Sequence, residues 1–286
     1  MIVHLKTLVQ KAIKNNFALG AFNTCNLEIT QGIIKGAIKA NSGAIIQVTP
    51  SSIKYASLPV LVSLFELLAK YQEKNIPLAL HLDHGQTYQQ TKDCIQAGFS
   101  SVMIDASDKS FKENINLTQK VVKYAHQKKV WVQAELGQVS KGKQGYQKLI
   151  KRPQDFLTDP DQAQEFVKKT KVDTLAVAIG NIHGSYKIKH GVPRLILSHL
   201  KEIQKKINLP LVLHGASGVS QIQLKKALDL GIKIVNIDTE IRMAWRSGVE
   251  SCLRNKEEYD PRKILAPAIE NISEVVYKKI KFLKQK

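Results

Sequence analysis

With 286 residues and no linker-like or low-complexity tract, the chain has the length of one large α/β domain. Its 43 lysines and arginines against 24 aspartates and glutamates give a net charge of +19, which favours anionic partners, yet aromatics make up only 6%. That scarcity leaves no evident stacking platform for single strands, so no specific nucleic-acid partner is expected; the charge reads first as a solvated lysine-rich surface, whose field would also attract anionic metabolites such as sugar phosphates.

The N-terminus, "MIVHLKTLVQKAIKNN", spaces apolar residues as an amphipathic helix does and lacks the pattern of a signal peptide. Strand-like runs follow at regular intervals: "FALGAFN" (17–23), "AIIQVTP" (44–50), "IPLALHLDH" (76–84) and "SVMIDAS" (101–107). Four more are "WVQAELG" (131–137), "TLAVAIG" (174–180), "LPLVLHG" (209–215) and "KIVNIDT" (233–239). Helical patterns separate them, as in "LEITQGIIKGAIKAN" and "QIQLKKALDLG". Near-continuous apolar strands alternating with helices imply a parallel sheet covered on both faces. Eight such units favour a closed (β/α)8 TIM barrel over an open sheet, with additional N-terminal and C-terminal helices on one catalytic domain spanning 1–286. The C-terminal addition is "DPRKILAPAIENISEVVYKKIKFLKQK". After the fifth run, "ELGQVSKGKQG" (135–145) opens a segment with no obvious helix until about Asp161. No run of about 18 apolar residues suggests a membrane span. Cys25, Cys94 and Cys252, odd in number and without CxxC spacing, suit a reducing cytoplasm.

Active sites of this fold sit at the carboxyl ends of the strands, and polar residues gather there: Asn23, Asp83, His84, Asp105, Ser107, Glu135, His183, His214, Ser217, Asn236, Asp238 and Thr239. In "HLDHG", "GNIHGSYK" and "VLHGASG" a histidine at a strand end precedes a glycine. One such histidine is more often a hydrogen-bonded structural residue. Three at one rim read as a metal site with an open position, His84, His183 and His214. His81 shares a strand face with Asp83 and reads as a supporting residue. Asp83, beside a candidate ligand, reads as a general base, or else as a group that orients a histidine. Gly184, Lys187, Gly215, Ser217, Asp238 and Thr239 suit a phosphate site, although Ser217 and Thr239 could equally cap helices.

Taken together, "LALHLDHG", "AGFSSVMIDAS", "QAELG", "DTLAVAIGNIHGSYK", "LPLVLHGASG" and "KIVNIDTEIRMAW" resemble the successive motifs of class II, zinc-dependent ketose-bisphosphate aldolases. The resemblance runs from "AFN" at 21–23 to "DPRK" at 260–263 and implies cleavage of fructose 1,6-bisphosphate, or of its tagatose epimer. It implies that His84, His183 and His214 hold Zn2+, which would stabilise an enediolate as a Lewis acid. Asp83 would take the C4 hydroxyl proton. Gly184, Lys187, Gly215, Ser217, Asp238 and Thr239 would bind one phosphate, Asn236 would contact substrate, and Arg242 would reach the second phosphate; Asn23 joins this substrate set. Asp105 and Glu135 match carboxylates that hold zinc in an alternative position or support the site. A monovalent cation (Na+ or K+) near the Gly184 and Ser217 turns is implied too. Asp260 and Arg262 match a segment that completes a neighbouring subunit's site, so a homodimer or homotetramer is implied.

The pattern breaks in one place. Family members read like Gly-Gly-x-Glu-Asp after "ELG", with the glutamate returning a proton to the enediolate carbon. Counted from Glu135 without gaps, Lys143 takes the glutamate position here, and no carboxylate stands between Glu135 and Asp155. Three readings stay open: Lys143 is the acid, solvent or Asp83 returns the proton, or the chain is a weakened sugar-phosphate-binding paralogue.

Overall fold

Side chains two apart on a strand share a face, and that alternation organises the whole molecule. A computed structural model describes residues 1–184 and 194–285. Eight parallel strands close into a barrel: β1 (Leu19–Asn23), β2 (Ala44–Val48), β3 (Leu78–Gly85), β4 (Ser101–Ile104), β5 (Trp131–Leu136), β7 (Thr174–Val177), β9 (Leu211–Leu213) and β10 (Ile232–Ile237). All eight lie within a run or one residue of it. Between them, β6 (Ser140–Lys141) and β8 (Ile182–His183) form a separate two-stranded parallel ribbon.

The outward residues, among them Phe22, Ile46, Leu80, Leu82, Val102, Val132, Leu175 and Val235, belong to the core cluster shared with the surrounding helices. The inward residues nearest the amino ends form a second cluster: Leu19, Ala21, Ile45, Ala79, Ala176, Val212 and Ile234. Leu5, Leu8, Val9 and Ala12 of the N-terminal helix (Leu5–Lys14) complete it and so stopper the barrel from below. Two residues further along each strand, the same inward face turns polar and stays buried: Gln47, His81, His214 and Asn236 follow Ile45, Ala79, Val212 and Ile234. A dry floor and a polar upper chamber thus come from one alternation.

The C-terminal helix (Pro261–Leu283) lies against the helix Leu27–Lys39. Their approach is close because Gly36 has no side chain there: a Cβ would stand 2.6 Å from the Ser273 carbonyl oxygen. Lys35–Glu270 and Lys39–Glu274 pairs line the solvent side, where such pairs add little. Asp260 caps the C-terminal helix by accepting from the Arg262 N–H at 2.9 Å. No single helix among the described residues is long and apolar enough to cross a membrane.

One expectation fails. The segment after β5 is not free of helix: Gly142–Lys151 is helical, a 3-10 turn covers Pro153–Asp155, and the next helix starts at Pro160. Its two glycines hide it in sequence, while Gln147, Lys148 and Leu149 are good helix formers and Leu149 is buried.

Because Leu5 fills the floor and is 1% exposed, Leu5→Ala is expected to lower stability by about 2–5 kcal/mol. Urea unfolding measures this.

Candidate active site

Asp83 and His84 are consecutive, so plain alternation would send them to opposite faces of β3. His84 instead takes φ 52°, the left-handed region that costs about 1 kcal/mol or more for a side-chain-bearing residue. The pairing of β3 with β4 shifts register between Leu82 and Gly85. This kink turns both side chains to one cavity. His183 arrives on β8 and His214 directly after β9. Their approach depends on Gly215, at φ 59°, where a Cβ would fall 2.3 Å from the Ile182 carbonyl oxygen.

The three imidazoles meet with ring centroids 4.7–6.0 Å apart. One ligand atom from each of His84, His183 and His214 lies within 4.8 Å of the others, and the same holds for His84, Asp105 and Glu135. Asp105 Oδ2 stands 2.7 Å from His84 Nδ1, the arrangement that leaves Nε2 for a cation. Ser107 donates its hydroxyl (2.7 Å) and N–H (3.2 Å) to the other oxygen of Asp105. Glu135 Oε2 and His214 Nδ1 are buried 3.2 Å apart, and neither atom has a hydrogen-bond partner.

Asp83 is 4% exposed and held on both oxygens, by Asn23 Nδ2 at 2.8 Å and Asn236 Nδ2 at 3.2 Å. Gln47 Nε2 donates in turn to Asn23 Oδ1 at 2.8 Å. Burial would raise the Asp83 carboxyl, but His84, His214 and the Asn23 hydrogen bond hold it below its usual range. Burial likewise opposes ionisation of Asp105, and the His84 and Ser107 hydrogen bonds overcome it. Burial pulls His84 down, but Asp83, the Asp105 hydrogen bond and Glu135 outweigh it and raise the imidazole to about 9. Three carboxylates thus crowd an imidazole cluster in a site short of positive charge. Two unpartnered ligand-type atoms and a nitrogen-and-oxygen donor set fit a zinc-type cation.

The cavity over these groups has a volume of about 550 Å3 and is lined by Asn23, Asp83, His84, His183, Gly184, Gly215, Ser217, Asn236, Asp238, Thr239 and Arg242, all of them expected site residues. A second cavity of about 480 Å3 lies on the β4 and β5 side; it shares His84 and His183 with the first and adds Asp105 and Glu135. Arg242 Nε binds Asp238 Oδ1 at 2.7 Å, just inside the helix that opens at Thr239. Capping does not account for the hydroxyls: Asp238 is that helix's N-cap without a side-chain bond, and the helix after Ser217 is capped by Ser220. Lys187 lies outside the described residues. Lys143 falls in the first turn of the helix Gly142–Lys151. Asp260 and Arg262 do not line either cavity; Arg262 Nη2 pairs with Asp260 Oδ2 at 2.8 Å.

His81 supports the site without joining it, buried against Ser101 Oγ at 2.9 Å. Sequence reading missed Thr49, Met243 and Arg246, which also line the main cavity. Arg246 stands four after Arg242, a helical spacing that signals it. It also missed Gln47 and Gln133, single polar residues at inward positions of apolar strands, a visible signal once parity is tracked.

The family model for "Fructose-bisphosphate aldolase class-II" matches residues 3–286. A fructose-bisphosphate aldolase of Staphylococcus aureus (strain Mu50 / ATCC 700699) is 41% identical over 282 residues, 98% of this chain and 96% of the relative. That of Geobacillus stearothermophilus is 36% identical with the same coverage. Among solved structures, the YdjI aldolase from Escherichia coli K12 superposes with TM-score 0.84 at 30% identity, covering 99% of this chain and 97% of that one. The fructose-bisphosphate aldolase of Campylobacter jejuni, at 23% identity and TM-score 0.82, covering 99% of this chain and 95% of that one, shares the fold.

A proton on His84 competes with a cation for the same imidazole, so zinc affinity is expected to rise about tenfold per pH unit up to a pH of about 9. Chelator competition across that range checks it; a flat profile would contradict the charge balance described above.

Proposed function

The chain belongs to the class-II fructose-bisphosphate aldolase family of aldehyde-lyases, and on that premise we propose that its barrel mouth reversibly cleaves fructose 1,6-bisphosphate to dihydroxyacetone phosphate and glyceraldehyde 3-phosphate. The observation that carries this reading is the Asp83 carboxyl group, fixed by two amide donors, at the edge of a three-histidine cluster. His84, His183 and His214 would hold zinc, whose chemistry when bound is Lewis-acid polarisation of substrate oxygens.

Asp83 accepts the C4 hydroxyl proton. The C3–C4 bond then breaks, C4 becomes the aldehyde carbon, and the electron pair remains on the dihydroxyacetone phosphate fragment as an enediolate. Asn23 and Asn236 fix the carboxylate, so no reorientation is needed at the moment of transfer. In the cleavage direction, the enediolate carbon must then regain a proton. With no carboxylate between Glu135 and Asp155, we assign that return to the protonated Asp83 or to water.

Gly184, Gly215, Ser217 and Thr239 line the cavity, and turn N–H groups with a helix start suit a phosphate. Arg242, aligned by Asp238, serves the other phosphate, and the +19 net charge draws the bisphosphate towards it. Asp260 and Arg262, absent from the walls of their own subunit's cavity, are proposed to complete the site of a second copy.

Asp83→Asn should lower kcat by about 10²–10⁴-fold with bound zinc unchanged, in an assay coupled to triose-phosphate formation. Loss of zinc in that variant would move Asp83 from base to metal support. Chelator should abolish wild-type cleavage and added zinc restore it; chelator-insensitive cleavage would overturn the metal-dependent reading. Lys143→Ala is expected to leave kcat within about tenfold of wild type, below the usual contribution of a positioned acid; a larger fall would make Lys143 the proton donor.

A further inference from the structure

Both ring nitrogens of His214 are addressed by one strand. β5 presents Gln133 and Glu135, two apart and therefore on one face, with Gln133 Nε2 3.0 Å from His214 Nε2 and Glu135 Oε2 3.2 Å from His214 Nδ1. All three residues are at most 2% exposed, so little solvent competes for these contacts. A neutral imidazole carries one proton, and a metal ligand must leave one nitrogen bare. The nitrogen on the rim side, Nδ1, has no hydrogen-bond partner, which makes it the one for the cation. The proton then belongs on Nε2 and needs an acceptor there, and Gln133 is the side chain within reach.

We infer that Gln133 sets the tautomer of His214: its amide oxygen accepts the Nε2 proton and leaves the Nδ1 lone pair facing the metal. A half-turn of the amide exchanges oxygen and nitrogen with almost no change of shape. With the nitrogen towards the ring, Gln133 donates to Nε2 and also reaches Met103 Sδ at 3.3 Å, a weak acceptor that holds the amide lightly. In that orientation the His214 proton stands on Nδ1 and blocks the metal. With the oxygen towards the ring, His214 can bind. Gln133 is thus a positioning residue that acts through His214, and the inference rests on the metal site proposed above.

Zinc affinity by chelator competition separates the two. Gln133→Leu removes the acceptor and should weaken zinc about 10–100-fold. Gln133→Glu keeps an acceptor of the same reach and should match or exceed wild type. Should the leucine variant not fold, the glutamate variant and nitrogen-15 NMR of zinc-loaded wild type, which should show His214 protonated at Nε2, decide the matter. A leucine variant that binds like wild type, a glutamate variant as weak as expected for leucine, or a zinc-loaded His214 protonated at Nδ1 would each overturn it. If wild type itself takes up no zinc, the metal site fails and this inference with it; stoichiometric zinc in wild type with no effect of Leu sinks the inference alone.

Discussion

Three carboxylates cannot share the mouth of a closed barrel without a counter-charge, and much of this site is arranged around that constraint. Asp83 and Glu135 are buried, and the Asp105 side chain is 17% exposed. In a medium that screens poorly, each must be paired or hydrogen-bonded to stay ionised. Asp105 finds Ser107 and His84, and Asp83 finds two asparagines. Glu135 Oε2 finds no donor and faces a ring nitrogen in the same condition. The balance is left open in one place, beside the three imidazoles, where the donor atoms present would suit a divalent cation.

The constraint reaches down into the sheet. Inward positions alternate along every strand, so the residues that carry charge at the rim stand directly above the ones that make the dry floor. A one-residue slip of β3 would turn His81 and Asp83 out under the helices and bring Leu80 and Leu82 into the chamber. The N-terminal helix keeps water from entering below, which keeps the rim electrostatics undiluted. His84 is the single departure from alternation on this strand, and its left-handed backbone is what lets base and ligand be neighbours in sequence and in space.

That logic explains what could be read from the sequence. The eight strands were legible because parity and β-branched runs are local properties. His84, His183 and His214 were legible because each stands at or just after the end of such a run and is followed by glycine. The pairing of Gln133 with His214 was not, since the partners are 81 residues apart and only barrel closure brings β5 near β9. Asp260 and Arg262 could be matched to a motif, but their distance from their own cavity emerges only once the C-terminal helix is docked. The helix Gly142–Lys151 escaped because its glycines masked a pattern stabilised by burying Leu149.

The same segment shows how the barrel tolerates a changed loop. Its foot is clamped: Gln138 N–H donates to the Phe156 carbonyl at 2.8 Å, Thr158 N–H to Ala178 at 3.0 Å, and the Thr158 hydroxyl to the Leu136 carbonyl. Gly137, at φ 79°, permits the crossing, since a Cβ there would lie 2.8 Å from both Phe156 O and Thr158 N. Residues between these anchors can change identity without moving Glu135 or the base. Among the described residues, backbone pairing of Lys141 with His183 through the β6–β8 ribbon adds a tie that is indifferent to side-chain chemistry. A lysine where the class II pattern calls for a carboxylate is therefore compatible with an intact barrel mouth. The groups proposed to bind the metal and to remove the first proton are held at the ends of strands and keep their geometry.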